Sequence, residues 1–185
     1  MTNVNKGINN KLAGRIGEFL VCAELGRRGL IATPFSGNVP AFDVLVADDF
    51  CRTLPIQVKA SRSDNWQSDA RDWMDITLDS ETGVQTNHGA IQITNPNLIY
   101  VCVAIAELGK HHRFFILTKK DLQVACTTFY SEFMQKHAWR RPKNPSCYEN
   151  RYRIVDIAGF EDNWELISNR FASTDSTSML ESLQE

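Results

Sequence analysis

Leu54-Pro55-Ile56-Gln57-Val58-Lys59-Ala60 places Ile56, Val58 and Ala60 on one face of an extended strand and Gln57 and Lys59 on the other. Upstream, Phe42-Asp43-Val44-Leu45-Val46 divides in the same way, with Phe42, Val44 and Val46 opposite Asp43 and Leu45. A polar turn around Asp48 and Asp49 separates the two runs. If they form a hairpin or a neighbouring pair, Asp43, Gln57 and Lys59 converge near the strand ends. The sequence leaves the register open.

Outward from these strands, the segment from Asn10 to Arg28 predicts a helix with Leu12, Ile16, Phe19, Leu20 and Ala23 as its apolar stripe. Glu18 lies off that stripe, yet its neighbours one turn away are Gly14, Val21 and Cys22, which is a poor setting for a solvated acid. Gly14 and Gly17 predict close approach of another backbone. Gly29 supplies the stop, with Arg27 and Arg28 in the last turn.

Glu18, Asp43, Gln57 and Lys59 together suit phosphodiester hydrolysis. That reaction calls for a divalent cation such as Mg²⁺ or Mn²⁺ held by hard oxygen ligands. Asp43 offers a charged oxygen, the Gln57 amide and the Val58 carbonyl offer neutral ones, and Glu18 binds directly or through water. Lys59 orients or deprotonates water, or steadies charge on the phosphoryl oxygens. Each residue also has an ordinary reading. A lone Gln-x-Lys suits an edge strand, Glu18 can pair with Arg15 or a neighbouring chain, and Asp43 can cap a turn or satisfy backbone donors at a strand end.

A helix glutamate, a strand aspartate and a strand (Asp/Glu/Gln)-x-Lys in this order resembles the PD-(D/E)XK nuclease superfamily. The stretches Gly14-Arg15-Ile16-Gly17-Glu18, Phe42 to Val46 and Ile56 to Ser61 are similar to its Holliday-junction-resolvase-like branch. The resemblance covers the first third of the chain. It implies an α/β fold with a restriction-endonuclease-like core, a mixed β-sheet flanked by α-helices, and metal-dependent cutting of DNA, with RNA left open. Phe42 stands where the family's proline would be. Gln57 stands for the usual acid, which removes one negative charge and weakens metal binding. A site that no longer cuts, on a nucleic-acid-binding or protein-interaction module, is the alternative.

The 185 residues, 43% of them hydrophobic, suffice for one core, so a single domain over 1–171 is expected, followed by a Ser/Thr-rich tail over 172–185 read as mobile or a short docked helix. The longest apolar run, Leu98 to Ala106, is too short to span a membrane. The expectation is a soluble, cytoplasmic protein. The five cysteines form no C-x-x-C pair and imply neither zinc nor a disulfide framework.

A formal charge of −2 gives no global attraction to a polyanion, so a nucleic-acid surface must be local. The candidates are Arg62 and the run Lys136, Arg140, Arg141, Lys143, Arg151 and Arg153, interleaved with Trp139, Tyr148 and Tyr152. A solvated basic loop closed by Pro142 and Pro145 is the competing reading. Leu98 to Ala106 and Arg113 to Leu117 predict a hairpin extending the sheet. Thr118-Lys119-Lys120-Asp121 reads as a capping box opening a helix over that sheet, with Leu122, Cys126, Phe129 and Phe133 as its stripe and a break at Thr127-Thr128. Ser61 to Asn97 is polar, with one more strand over Met74 to Leu78. Cutting both strands of a duplex calls for two sites, hence the expectation of a homodimer.

Overall fold

The computed structural model describes residues 3–35 and 41–172, with side chains from Asn10 onward. In chain order its elements are α1 (Asn3–Arg27), β1 (Ile31–Pro34), β2 (Val44–Ala47), β3 (Thr53–Ser61), β4 (Asn65–Asp69), β5 (Met74–Leu78), β6 (Gln85–Ala90), β7 (Ile99–Ala104), β8 (Arg113–Thr118), α2 (Lys119–Gln135) and β9 (Glu149–Arg153). A last helix, α3, covers 165–172. The expected tail lies, from 173 on, outside the described residues. Contacts divide the chain into two compact units, one of Met1–Arg62, Leu98–Leu117 and the part from Phe160, the other of Ser63–Asn97 and Thr118–Gly159.

The first unit carries a five-stranded sheet in the order β1-β2-β3-β7-β8. β1, β2 and β3 run antiparallel, whereas β3 and β7 run parallel. The fold is therefore α/β with a mixed sheet flanked by helices. Alternation puts Val44 and Val46 of β2, Ile56 and Val58 of β3, and Ile99, Val101 and Val103 of β7 into one buried cluster with Phe114 and Ile116. Val21 and Leu25 of α1 and Trp164, Ile167 and Phe171 around α3 close it.

The buried seam of α1 differs from the predicted stripe. Ala13, Gly17, Val21 and Leu25 are buried, while Leu12 and Phe19 are 49% and 57% exposed. Gly17 explains the rotation. A Cβ there would overlap that of Ala60 and sit 3.5 Å from Val58 Cγ1, so α1 rests on β3 through small residues that carry little hydrophobic signal. Gly14 has nothing within 4 Å of such a Cβ, so close approach holds for Gly17 alone of the pair. The helix ends as expected at Gly29, whose φ is +82°, with Leu30 N–H bonded to Leu25 O at 3.1 Å and Gly29 N–H to Gly26 O at 3.0 Å. The β2–β3 turn is held by Asp48, which accepts from the Phe50 and Arg52 amides at 3.1 and 2.9 Å and pairs with the Arg52 guanidinium at 2.5 Å. Burial alone would raise the Asp48 carboxyl, but Arg52 and these amides hold it below the usual range.

In the second unit β4 pairs with β9 and β5 with β6, both antiparallel. β5 matches the expected Met74–Leu78 strand, whereas β4 and β9 lie in segments that read as polar loop. Their inward residues include Trp66 and Tyr152, whose rings stack at 5.5 Å. Thr118 and Asp121 form the expected capping box. α2 then runs unbroken through Thr127, whose hydroxyl bonds back to Gln123 O at 2.9 Å. It buries Leu122, Cys126, Tyr130 and Met134, an unbroken i,i+4 series, in place of Phe129 and Phe133, which are half-buried. Within the unit α2 packs against β9 and β6. Gln123 fixes it by donating to Trp73 O and Ile91 O, each at 2.8 Å. No helix among the described residues is long and apolar enough to cross a membrane.

Candidate active site

A difference in strand length makes the site. β3 has nine residues and β2 four, and β2 covers β3 only from Thr53 to Ile56. Asp43, just before β2, closes the ladder with its N–H bonded to Ile56 O at 2.9 Å, while its carbonyl accepts from Phe35 N–H at 3.0 Å. The N–H and C=O of one strand residue point to the same edge, alternating along the chain. Ile56 and Val58 therefore both face the β2 side. Past the end of β2 the Asp43 side chain takes over: Oδ2 accepts from Val58 N–H at 2.8 Å, and the Gln57 amide nitrogen donates to the same oxygen. The Val58 carbonyl faces the same notch.

Glu18 enters from α1. It follows Gly17, so the close seating of the helix on β3 brings its side chain, 14% exposed, against the sheet. Burial pushes the Glu18 carboxyl above the usual range; Arg15 opposes this, and the charge of Asp43 adds to it. The two carboxylates thus feel each other. Arg15 Nη1 bonds Glu18 Oε2 at 2.6 Å and the Phe35 carbonyl at 3.0 Å, tying α1 to the end of β1. The ordinary reading, a Glu18–Arg15 pair, is therefore present, as is that of Asp43 serving a backbone donor at a strand end. Burial, with the nearby Glu18 charge, also raises the Cys22 thiol. Phe35 and Phe42 meet edge to face at 5.1 Å and flank the strand ends.

Lys59 sits two positions beyond Gln57 on β3, shares its face by alternation, and is exposed. Asp43, Gln57, Val58 and Glu18 are linked by bonds or charge, and Lys59 by strand position. Arg15 and Phe35 are members the motif reading did not place in the site; the i,i+3 spacing from Glu18 was the signal for Arg15.

The donors fit a hard divalent cation in type, with two carboxylates, one amide oxygen and one backbone carbonyl. The charge is low for such a site. Among the described residues no group of three or more His, Cys, Asp or Glu side chains forms a metal cluster.

The basic residues divide between the units. Arg62, exposed, follows β3 in the first, and the other six lie in the second. Arg151 pairs with Glu149 at 2.7 Å and Arg153 with Asp156 at 2.9 Å. Arg141 lies over the rings of Tyr130 and Phe133 and donates to Glu149 O. Lys136, Arg140 and Lys143 are exposed. Of the interleaved aromatics, Tyr152 is buried and Tyr148 lies under Arg71 at 4.3 Å.

No protein-family model and no curated protein sequence matches the chain. Among solved structures, the chain is similar to the bacterial homing endonuclease I-Ssp6803I at 14% identity, over 89% of this chain and 97% of that one, with a TM-score of 0.49.

Proposed function

We propose that this chain is a Mg²⁺- or Mn²⁺-dependent endonuclease of the PD-(D/E)XK type that hydrolyses phosphodiester bonds in DNA. The observation that carries the reading is the notch at the end of β2, where Asp43 is aimed by the Val58 amide and the Gln57 side chain. Asp43, the Gln57 amide oxygen, the Val58 carbonyl and Glu18 would hold the cation. A bound cation would polarise the phosphoryl oxygen and acidify a water.

The chain's own groups do the positioning. The amides of Gln57 and Val58 fix one oxygen of Asp43, so little reorganisation is needed when a ligand arrives. Arg15 holds Glu18 in place. Lys59 supplies a cation on the Gln57 face for the attacking water or for charge developing on the phosphoryl oxygens. Two copies of the chain would serve the two strands of a duplex.

Gln57 favours a second reading. Its amide nitrogen is turned to Asp43 and no third carboxylate joins among the described residues, which suits a nuclease-fold module that binds without cutting. Cleavage of supercoiled plasmid and of branched and single-stranded oligonucleotides, with Mg²⁺ or Mn²⁺, distinguishes them. Metal-dependent cutting lost in Asp43→Ala and Lys59→Ala supports the nuclease; wild-type cutting in both variants would refute the roles given to these residues, and binding without cutting would favour the module.

A further inference from the structure

The second unit holds a cavity of about 340 Å³ that the catalytic reading does not use. Phe129, Tyr130 and Phe133 of α2 line it together with Arg141, Glu149 and Arg151. That volume lies at the lower end of the ~300–1,000 Å³ typical of small-ligand pockets. The walls are flat. The Arg141 guanidinium lies 5.5 and 5.1 Å from the Tyr130 and Phe133 ring centres, and Arg153 covers Phe129 at 5.0 Å.

Arg141 is anchored through the Glu149 carbonyl and the Cys147 sulfur, neither of which cancels its charge. Glu149 is turned to Arg151, in a pair whose side chains are 41% and 53% exposed, and such a bridge exchanges readily for another anion. The lining therefore combines guanidinium planes, backed by aromatic rings, with excess positive charge. A cationic ligand is disfavoured by Arg141, and a neutral aromatic leaves the arginines unused. A planar ring that carries its own anion matches both, and unpaired nucleotides are recognised by stacking on aromatic rings and guanidinium planes.

We propose that this cavity receives one unpaired nucleotide of a DNA strand, its base over the Arg141 guanidinium that Tyr130 and Phe133 back, beside Phe129, and its phosphate at Arg151. The inference rests on the reading of the chain as a DNA-binding enzyme and names the feature of the substrate that it selects: a base out of the duplex stack, as in a bulge, a branch or a single strand.

Fluorescence anisotropy in EDTA tests it with three probes: a fully paired duplex, the same duplex with one bulged nucleotide, and a single strand. Wild type binds the bulged and single-stranded probes at least fivefold tighter than the paired duplex. Phe129→Ala and Phe133→Ala, with folding checked by circular dichroism, each bind those two probes about tenfold more weakly and the paired duplex unchanged. Arg151→Gln lies on the surface, so it keeps the test valid should the aromatic variants fail to fold; it loses several-fold in bulge affinity and lowers the salt slope by about one. Equal affinity of wild type for bulged and paired duplex overturns the proposal, as does an unchanged bulge preference in Arg151→Gln. A free deoxynucleoside monophosphate that binds as tightly as the bulged strand reassigns the cavity to a soluble nucleotide. Plasmid cleavage on the same preparations separates the claims. Cutting without bulge preference removes the cavity proposal alone, whereas neither cutting nor binding removes both.

Discussion

Asp43 and Val58 meet through a side chain where a backbone would be expected: the Val58 N–H donates to Asp43 Oδ2 at 2.8 Å, one step beyond the last β2–β3 pair, Val44 with Ile56. The carboxylate that would bind metal also satisfies a strand donor. The two duties can be separated by substitution.

Asp43→Ala leaves the Val58 N–H without its acceptor, at a cost of about 1–3 kcal/mol in urea denaturation. Asp43→Asn retains an oxygen for that N–H and stays within about 1 kcal/mol of wild type. Both lose at least ~100-fold in metal-dependent cleavage, because neither supplies a charged ligand. An asparagine variant that cuts at the wild-type rate would remove Asp43 from the metal.

Gln57→Glu adds a third carboxylate beside Asp43 and removes the amide that donates to it. Like charges in one site oppose each other until a cation joins them. The variant melts lower than wild type in EDTA and gains more from millimolar Mn²⁺ in a thermal shift assay. A gain no larger than that of wild type would mean that the Gln57 side chain does not reach the cation.

Gly17 and Gly14 provide a matched pair on one helix. Gly17→Ala drives a methyl into Ala60 and destabilises by about 1–3 kcal/mol. Gly14→Ala meets nothing within 4 Å and stabilises by about 1 kcal/mol through helix propensity. Because Glu18 follows Gly17, the first change also weakens cleavage. Equal effects on stability at the two positions would contradict the seating of α1.

Burial raises the Glu18 carboxyl, so the folded chain binds this proton to a higher pH than the unfolded chain does. Stability therefore falls as pH rises from the usual glutamate value through the raised one. Glu18→Gln removes that fall. Melting curves of variant and wild type coincide near pH 4 in EDTA, and the variant melts higher at pH 7. A variant that melts lower at pH 7 would show that the Arg15 pair outweighs burial.

Strand alternation made the Asp43 and Gln57–Lys59 runs legible in the sequence, and capping chemistry did the same for Thr118 and Asp121, because both signals are local. The buried face of α1 was not legible. Its contact with β3 is made by Gly17, a residue without a side chain, so the apolar stripe through Leu12 and Phe19 gave the stronger signal and pointed outward. β9 was hidden for a related reason: its inward residues are Asn150 and Tyr152, and its arginines suggested a loop. Asn150 is tolerated inside because its amide donates to Cys126 O at 3.0 Å, a partner 24 residues away. Within the site, the placing of Glu18 against the sheet depends on helix seating at Gly17, which no spacing rule encodes.

The short β2 has one more consequence. Among the described residues β2 leaves β3 beyond Ile56, where an uncovered strand side is the kind of place onto which strands from other molecules add. Asp43 occupies the first donor on that side, and a carboxylate there keeps a second chain's carbonyls from docking, with the exposed Lys59 beside it as a further deterrent. The notch that would bind metal is thus also a guarded edge against self-association, and truncating Asp43 would open the chain to aggregation by strand addition.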